Sequence, residues 1–193
     1  MKPGATDDDK VILVDASDTP LGTAPKLDAH RRGLTHRAVS VLVRNSEGLM
    51  LLQRRAAGKY HSAELWANAC CSHPRPDESA AIAAQRRLAE EMGVDCRLVP
   101  LFVTSYRAEV SNDLIEDEVV HVFGGVHDGR VTPDAAEVSE WKWISLSDLV
   151  ADQKANPGRH TAWFLHYMRD YGGVIADWLQ QPTSSEKIKR PEA

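Results

Sequence analysis

At 193 residues the chain is long enough for one domain with a sizeable core and too short for two full ones. Hydrophobic residues make up 42% and charged residues 26%, which excludes a disordered or fibrous chain. A net charge of -5 argues against nucleic acid as the main partner, so any anionic ligand needs a local basic pocket. No apolar run approaches a membrane span, and Met1 to Lys10 is polar and acidic rather than signal-like, which points to the cytoplasm. The three cysteines, Cys70, Cys71 and Cys96, are odd in number and lack paired CxxC spacing, so reduced thiols are expected.

Residues 1–10 read as a flexible leader, 11–181 as one domain and 182–193 as a polar tail. Val11 to Val14 is a short strand and Asp15 to Pro20 a turn region. Arg37 to Arg44 alternates as a buried strand, and Asn45-Ser46-Glu47-Gly48 supplies turn chemistry before Leu49 to Arg54, which predicts a hairpin. Trp66 to Cys71 is another short strand. Asp77 or Ser79 caps a helix that runs to about Met92 and stops at Gly93. Strands follow at Leu101 to Val110, Ile115 to Gly124 and Glu140 to Ile144, and helices at Ser145 to Lys154 and His160 to Tyr171. Mixed strands around a central helix, with helices late in the chain, indicate an α/β or α+β sandwich.

Glu116-Asp117-Glu118 interrupts an otherwise apolar strand from Ile115 to Phe123. Side chains repeat every second residue in a strand, so both glutamates share one face and Asp117 takes the other. Two carboxylates on a core-facing strand repel and are costly to desolvate, so a cation between them is expected, most simply a divalent metal. His30, His36 and His73 are the candidate partners.

Ser72-His-Pro-Arg-Pro-Asp-Glu78, followed by Arg86-Arg87-Leu88-Ala89-Glu90-Glu91-Met92-Gly93-Val94, closely resembles the Nudix box in spacing throughout. Two positions depart from it: Ser72 replaces a glycine, and Arg87 replaces a glutamate that in Nudix hydrolases binds metal. A cation there weakens a metal cluster and offers a phosphate contact instead. Lys59-Tyr60-His61, the run Leu65 to Pro74, Tyr106-Arg107-Ala108, His30, His36 and Glu116-Asp117-Glu118 together resemble type I isopentenyl-diphosphate isomerase, from about Val11 to Trp163.

That resemblance implies a Nudix-like α/β/α sandwich with a mixed sheet. It also implies a proton shift between isopentenyl and dimethylallyl diphosphate through a tertiary carbocation, in isoprenoid biosynthesis. Such a path needs an acid and a base in a dry pocket with nothing to trap the cation. By resemblance Glu118 delivers the proton and Cys71 removes the second, Tyr106 hydrogen-bonds the glutamate, and Trp163 stabilises the cation, with Trp66 as a second candidate. An aromatic face is worth up to about 2 kcal/mol or more for a desolvated cation. His30, His36, His73, Glu116 and Glu118 match metal ligands for Mn²⁺ or Mg²⁺, with zinc as an alternative. Glu91 matches a position serving a second, diphosphate-bound Mg²⁺, and Lys26, Arg55, Lys59 and Arg87 match the basic residues. The implied partner is a small prenyl diphosphate, with no nucleic acid or membrane, for a monomer or weak homodimer.

The alternatives are a Nudix hydrolase of a diphosphate-containing substrate and a non-catalytic module that kept the fold. No motif marks His61, His121, His127, His160 or His166, which are expected to serve packing or the surface. Cys70 and Cys96 read as small buried hydrophobes, Trp141 and Trp143 as packing residues, and Arg86 with Glu90 as a surface pair.

Overall fold

A computed structural model describes residues 10–182. In chain order these form β1 (Lys10–Val14), β2 (Pro20–Pro25), α1 (Lys26–Arg32), β3 (His36–Arg44), β4 (Met50–Arg55), β5 (Trp66–Asn68) and β6 (Cys70–Ser72). Then come α2 (Ala80–Met92), β7 (Leu98–Val110), β8 (Leu114–Val126), β9 (Val138–Ile144), α3 (Leu146–Ala155), a 3-10 turn at Pro157–Arg159 and α4 (Ala162–Gln180). Lys10, assigned to the leader from sequence, opens β1; the rest of the leader and residues 183–193 of the tail lie outside the described residues.

β3 is apolar on both parities, and a strand of that kind must be covered on both faces. Ala38 and Leu42 pack with Trp163, Phe164, Tyr167 and Ile175 of α4. Val39, Val41 and Val43 pack with Ala83, Ala84, Leu88 and Met92 of α2. The outcome is a mixed sheet between helices, as the sequence implied. β3 pairs parallel with β8 from His36↔Glu118 to Arg44↔Val126. β7 extends the sheet antiparallel beyond β8, and β6 pairs with β3. β4, β5 and β9 form a second antiparallel group, joined to the first at Arg44↔Met50.

Three expectations are corrected and two elements are added. The Asn45–Gly48 turn exists, but β3 and β4 share only the pair Arg44↔Met50, so they are not a hairpin ladder. β4 instead fills its edges with β5 and β9. Trp66 to Cys71 is two strands rather than one: β5 pairs with β4, and after Ala69 the chain crosses to β3 as β6. β2 and α1 had no sequence signal, because β2 is nearly all exposed and α1 has only 7 residues. α4 runs nine residues beyond Tyr171, through Gly172-Gly173, to Gln180. Two interior glycines cost roughly 2 kcal/mol, whereas burying Ile175, Trp178 and Leu179 returns about 1.5–3 kcal/mol each.

α2 ends as expected. Ser79 Oγ accepts from the Ile82 N–H, and Gly93 takes the left-handed conformation at φ 62°. A Cβ at Gly93 would lie 2.3 Å from Thr132 Oγ1 and 2.5 Å from the Thr132 carbonyl oxygen. No helix among the described residues is long and apolar enough to cross a membrane. Gly93→Ala should destabilise the protein by about 2–4 kcal/mol, from left-handed strain plus the clash. Urea unfolding measures this, and a loss under 1 kcal/mol, roughly the helix-interior scale for glycine against alanine, would contradict it.

Candidate active site

The site is laid down by strand register. Even-numbered residues of β3 and β8 face α4, so His36, Ser40, Glu116 and Glu118 share the face of the α4 core. His36 is the register partner of Glu118 across β3 and β8, and Tyr106 is its partner across β7 and β8. Ser40 pairs with Cys71 across β3 and β6. Asp117, on the opposite parity, is ion-paired with Arg107 at 2.6 Å and takes no part.

The carboxylates meet at one hydroxyl. Tyr106 Oη lies 2.7 Å from Glu116 Oε2 and 2.8 Å from Glu118 Oε2. A phenol has a single proton to donate, so the second short contact needs a proton on a carboxyl. With the protein's own groups alone, burial and the neighbouring Glu118 charge push the Glu116 carboxyl up to about 8. Burial also pushes Glu118 up, but hydrogen bonds from His36 and His73 outweigh it and hold Glu118 well below the carboxylate range. One proton is therefore held between the two carboxyl groups and the Tyr106 hydroxyl.

The histidines converge on Glu118. His36 Nδ1 donates to the Leu34 carbonyl at 2.7 Å and His30 Nδ1 to the Lys26 carbonyl at 2.7 Å, which turns each Nε2 inward. His73 Nε2 is 3.0 Å from Glu118 Oε1 and 3.2 Å from His36 Nε2. His30 Nε2 is buried with no partner among the described residues. Burial drives His73 down to about 3 and lowers His30, so both rings are neutral, the form that binds metal. His36, pushed down by burial but pulled up more strongly by Glu118, is raised.

His30, His36, His73 and Glu118 each present a ligand atom within 4.8 Å of the others, and His30, His61 and Glu116 form a second such group. An orphaned imidazole nitrogen beside crowded nitrogens and a carboxylate oxygen suits a divalent cation. His61, which the sequence marked only for packing, is a correction: its Nε2 is 3.4 Å from Glu116 Oε1, and its ring stacks at 5.5 Å on His30. It comes from the β4–β5 loop at no recognisable spacing from the other histidines. Glu91 belongs to neither group; its carboxylate takes Arg87 at 2.6 Å and Gln53 Nε2 at 3.4 Å.

Cys71 Sγ lies 3.0 Å from Ser40 Oγ and 3.3 Å from Asn68 Oδ1. Asn68 Nδ2 donates to Ser40 Oγ at 2.9 Å, which leaves the Ser40 proton free to point at the sulfur. Neither Ser40 nor Asn68 was singled out from sequence. Burial pushes the Cys71 thiol far up, against the Ser40 hydrogen bond, so the group is a neutral thiol.

A cavity of about 40 Å³ is lined by Cys71, Glu116, Glu118, Tyr106 and Trp163, and by Lys26, Arg55, Lys59, Arg87 and Glu91. Every sequence-predicted residue except His30, His36 and Trp66 lines it, and the two histidines pack against the lining residue His73. Trp163 is 2% exposed, with the Arg55 guanidinium 5.1 Å from its ring centre. Trp66 lies away from the cavity, its ring under Lys142 at 4.3 Å, and is withdrawn as a cation-stabilising candidate. Arg87 binds Glu90, Glu91 and Glu137, so this departure from the Nudix pattern places a cation inside the helix's own acidic cluster.

The NUDIX domain pattern matches residues 34–164. Isopentenyl-diphosphate Delta-isomerase 2 of Aromatoleum aromaticum is 51% identical over 156 residues, 81% of this chain and 82% of that one. The isopentenyl-diphosphate Delta-isomerase of Burkholderia multivorans is 48% identical over 90% of this chain and 99% of its own length. That of Serratia proteamaculans is 45% identical over 86% and 92%. Among solved structures, DR0079 of Deinococcus radiodurans superposes with TM-score 0.65 at 20% identity, covering 76% of this chain and 90% of that one. A MutT protein of Methanosarcina mazei Go1 gives 0.58 at 23% identity, over 76% and 96%. The chain belongs to the Nudix family, within its isopentenyl-diphosphate Delta-isomerases.

Proposed function

We propose that the protein interconverts isopentenyl diphosphate and dimethylallyl diphosphate, with Cys71 and Glu118 as the acid–base pair. The observation that carries this reading is a thiol and a carboxylate on the walls of one buried cavity, with an indole beside them, in a chain about half identical to proteins of that name. A proton is added to the terminal alkene carbon, a tertiary cation forms, and a proton leaves the carbon on its other side. Nothing is oxidised, and one proton enters for each that departs. A dry pocket keeps water from trapping the cation, and the Trp163 ring stabilises it by its quadrupole.

The thiol and the carboxylate suit different halves of that exchange. With the protein's own groups alone, Cys71 holds its proton and Glu118 is charged. Delivery from Glu118 needs a proton brought to it, and the Tyr106 hydroxyl, bridging the two carboxylates, is placed to bring it. The Ser40 hydroxyl, free to donate because it accepts from Asn68 Nδ2, lowers the cost of a thiolate at Cys71 once it has given up its proton. Asn68 Oδ1, by contrast, accepts from the thiol itself. Mn²⁺ or Mg²⁺ held by His30, His36, His73, Glu116 and Glu118, with zinc as an alternative, and Mg²⁺ at Glu91 would supply fixed positive charge at the carboxylates and the diphosphate. Lys26, Arg55, Lys59 and Arg87 bind the diphosphate oxygens.

Purified protein with isopentenyl diphosphate and Mg²⁺ should yield the dimethylallyl isomer without phosphate release. Release of phosphate or pyrophosphate with no isomer would favour a hydrolase. Cys71→Ala and Glu118→Gln should each lower kcat by about 10²–10⁴-fold with melting temperature nearly unchanged; full activity in either variant would refute the pair. Chelator-treated protein should gain melting temperature on addition of Mn²⁺, and His36→Ala should lose most of that gain. An equal gain in His36→Ala would place the ion elsewhere.

A further inference from the structure

Glu137, in the connection between β8 and β9, is a carboxylate that neither the proton transfers nor the metal-binding groups use. Its backbone is tied down on both sides: the N–H donates to the Asp134 carbonyl at 3.0 Å, and the carbonyl accepts from the Ala56 N–H at 2.9 Å. Its side chain reaches two cations from different elements. One oxygen pairs with Lys59 Nζ, from the β4–β5 loop, and the other accepts from Arg87 of α2 at 3.2 Å. Burial pushes the Glu137 carboxyl up, but the Lys59 and Arg87 charges outweigh it and keep it ionised.

Those cations line two adjoining spaces. Lys59 and Arg87 belong to the buried cavity and also to an outer cleft of about 360 Å³. Lys26, Ser72 and His73 are shared between the two spaces as well, and Arg75, Arg86 and Glu137 line the outer one. Clustered cations repel: burial, then Lys59 and Arg87, depress the ammonium of Lys26. Carboxylates of the chain offset them: Glu90 and Glu91 meet Arg87 alone, and Glu137 meets both Lys59 and Arg87.

We propose that Glu137 is a resident substitute for the diphosphate, neutralising Lys59 and Arg87 while the cleft holds no ligand and giving them up when a diphosphate binds. The inference rests on the reading of Lys59 and Arg87 as diphosphate contacts. Three features favour displacement over a permanent bridge. The Glu137 side chain is 23% exposed, so its carboxylate has a path to water. Its backbone is anchored independently of the ion pairs, so the side chain can swing without unfolding the connection. Arg87 is also held by Glu90 at 2.8 Å and Glu91 at 2.6 Å, so it stays in place when Glu137 leaves. A diphosphate, with more charge and more acceptor oxygens than one carboxylate, wins both cations.

An internal competitor lowers apparent affinity by the fraction of time it occupies the site. The full-length protein at fixed Mg²⁺ is titrated calorimetrically with inorganic pyrophosphate, beside Glu137→Gln and Glu137→Ala. The second variant covers retention of the Lys59 contact by the glutamine amide. Tightening by about tenfold is expected in at least one variant, the size of one charge-assisted hydrogen bond no longer competing, with a lower melting temperature before ligand is added. A purely structural bridge predicts the lower melting temperature with weaker binding. Unchanged or weaker binding in both variants overturns the inference while leaving the diphosphate site in place. Failure of the unsubstituted protein to bind pyrophosphate overturns the reading of Lys59 and Arg87, and the inference with it.

Discussion

The parallel pairing of β3 with β8 is the constraint on which the rest of the structure depends. Parallel strands cannot be joined by a tight turn and need both faces covered. The chain between β3 and β8 supplies α2 for one face, and the chain after β9 supplies α4 for the other. Register follows from this double burial, because a slip of one residue would exchange the two apolar faces of β3. The same register puts His36 beside Glu118, and the antiparallel pairing of β7 puts Tyr106 on the other side. The site is an extension of the core pattern at the end of the sheet where apolar side chains give way to ionisable ones.

That substitution of charge for hydrocarbon has an energetic consequence. Glu116, Glu118, His36 and His30 are almost fully buried, and buried carboxylates and imidazoles cost several kcal/mol unless their partners are complete. The protein's own groups nearly satisfy them. Tyr106 bridges the glutamates, carbonyls of α1 and the β3 approach orient two imidazoles, and one nitrogen of His30 is left over. His30, His36, His73 and Glu118 are close enough for a divalent cation to complete that arrangement. Across the cavity the balance is reversed: Lys26, Arg55, Lys59 and Arg87 are in excess, and Glu91 and Glu137 offset them only in part. The basic end suits the anionic end of a ligand.

Much of this was legible because it rests on short-range periodicity. Alternation in Ile115 to Phe123 placed both glutamates on one face and Asp117 on the other. Asp77 or Ser79 at one end and Gly93 at the other bounded α2, since capping and left-handed termination are local events, and the structure puts the cap at Ser79. The Nudix-like spacing reported a helix carrying Arg87 and Glu91 into the site. The misses share a cause. Asn45–Gly48 looks like a hairpin turn, yet the pairing of β4 is decided by β5 and β9, which lie far along the chain. Gly172-Gly173 looks like a helix end, yet Trp178 packs so closely that a Cβ at Gly124 would sit 2.7 Å from it, and the helix continues. His61, Ser40 and Asn68 carry no spacing signal because they reach the site from a loop and from strands whose neighbours are non-local.

By itself the sequence determined which residues alternate, where α2 stops, and which residue types the chemistry uses, because these depend on contacts within a few positions. Only the tertiary structure decided that Tyr106 bridges Glu116 and Glu118, that His61 stands with His30 and Glu116, that Trp163 and not Trp66 walls the cavity, and that Glu137 sits on two of its cations. Each of these brings together groups from elements distant in the chain, and their distances are set by the packing of whole strands and helices rather than by any local preference.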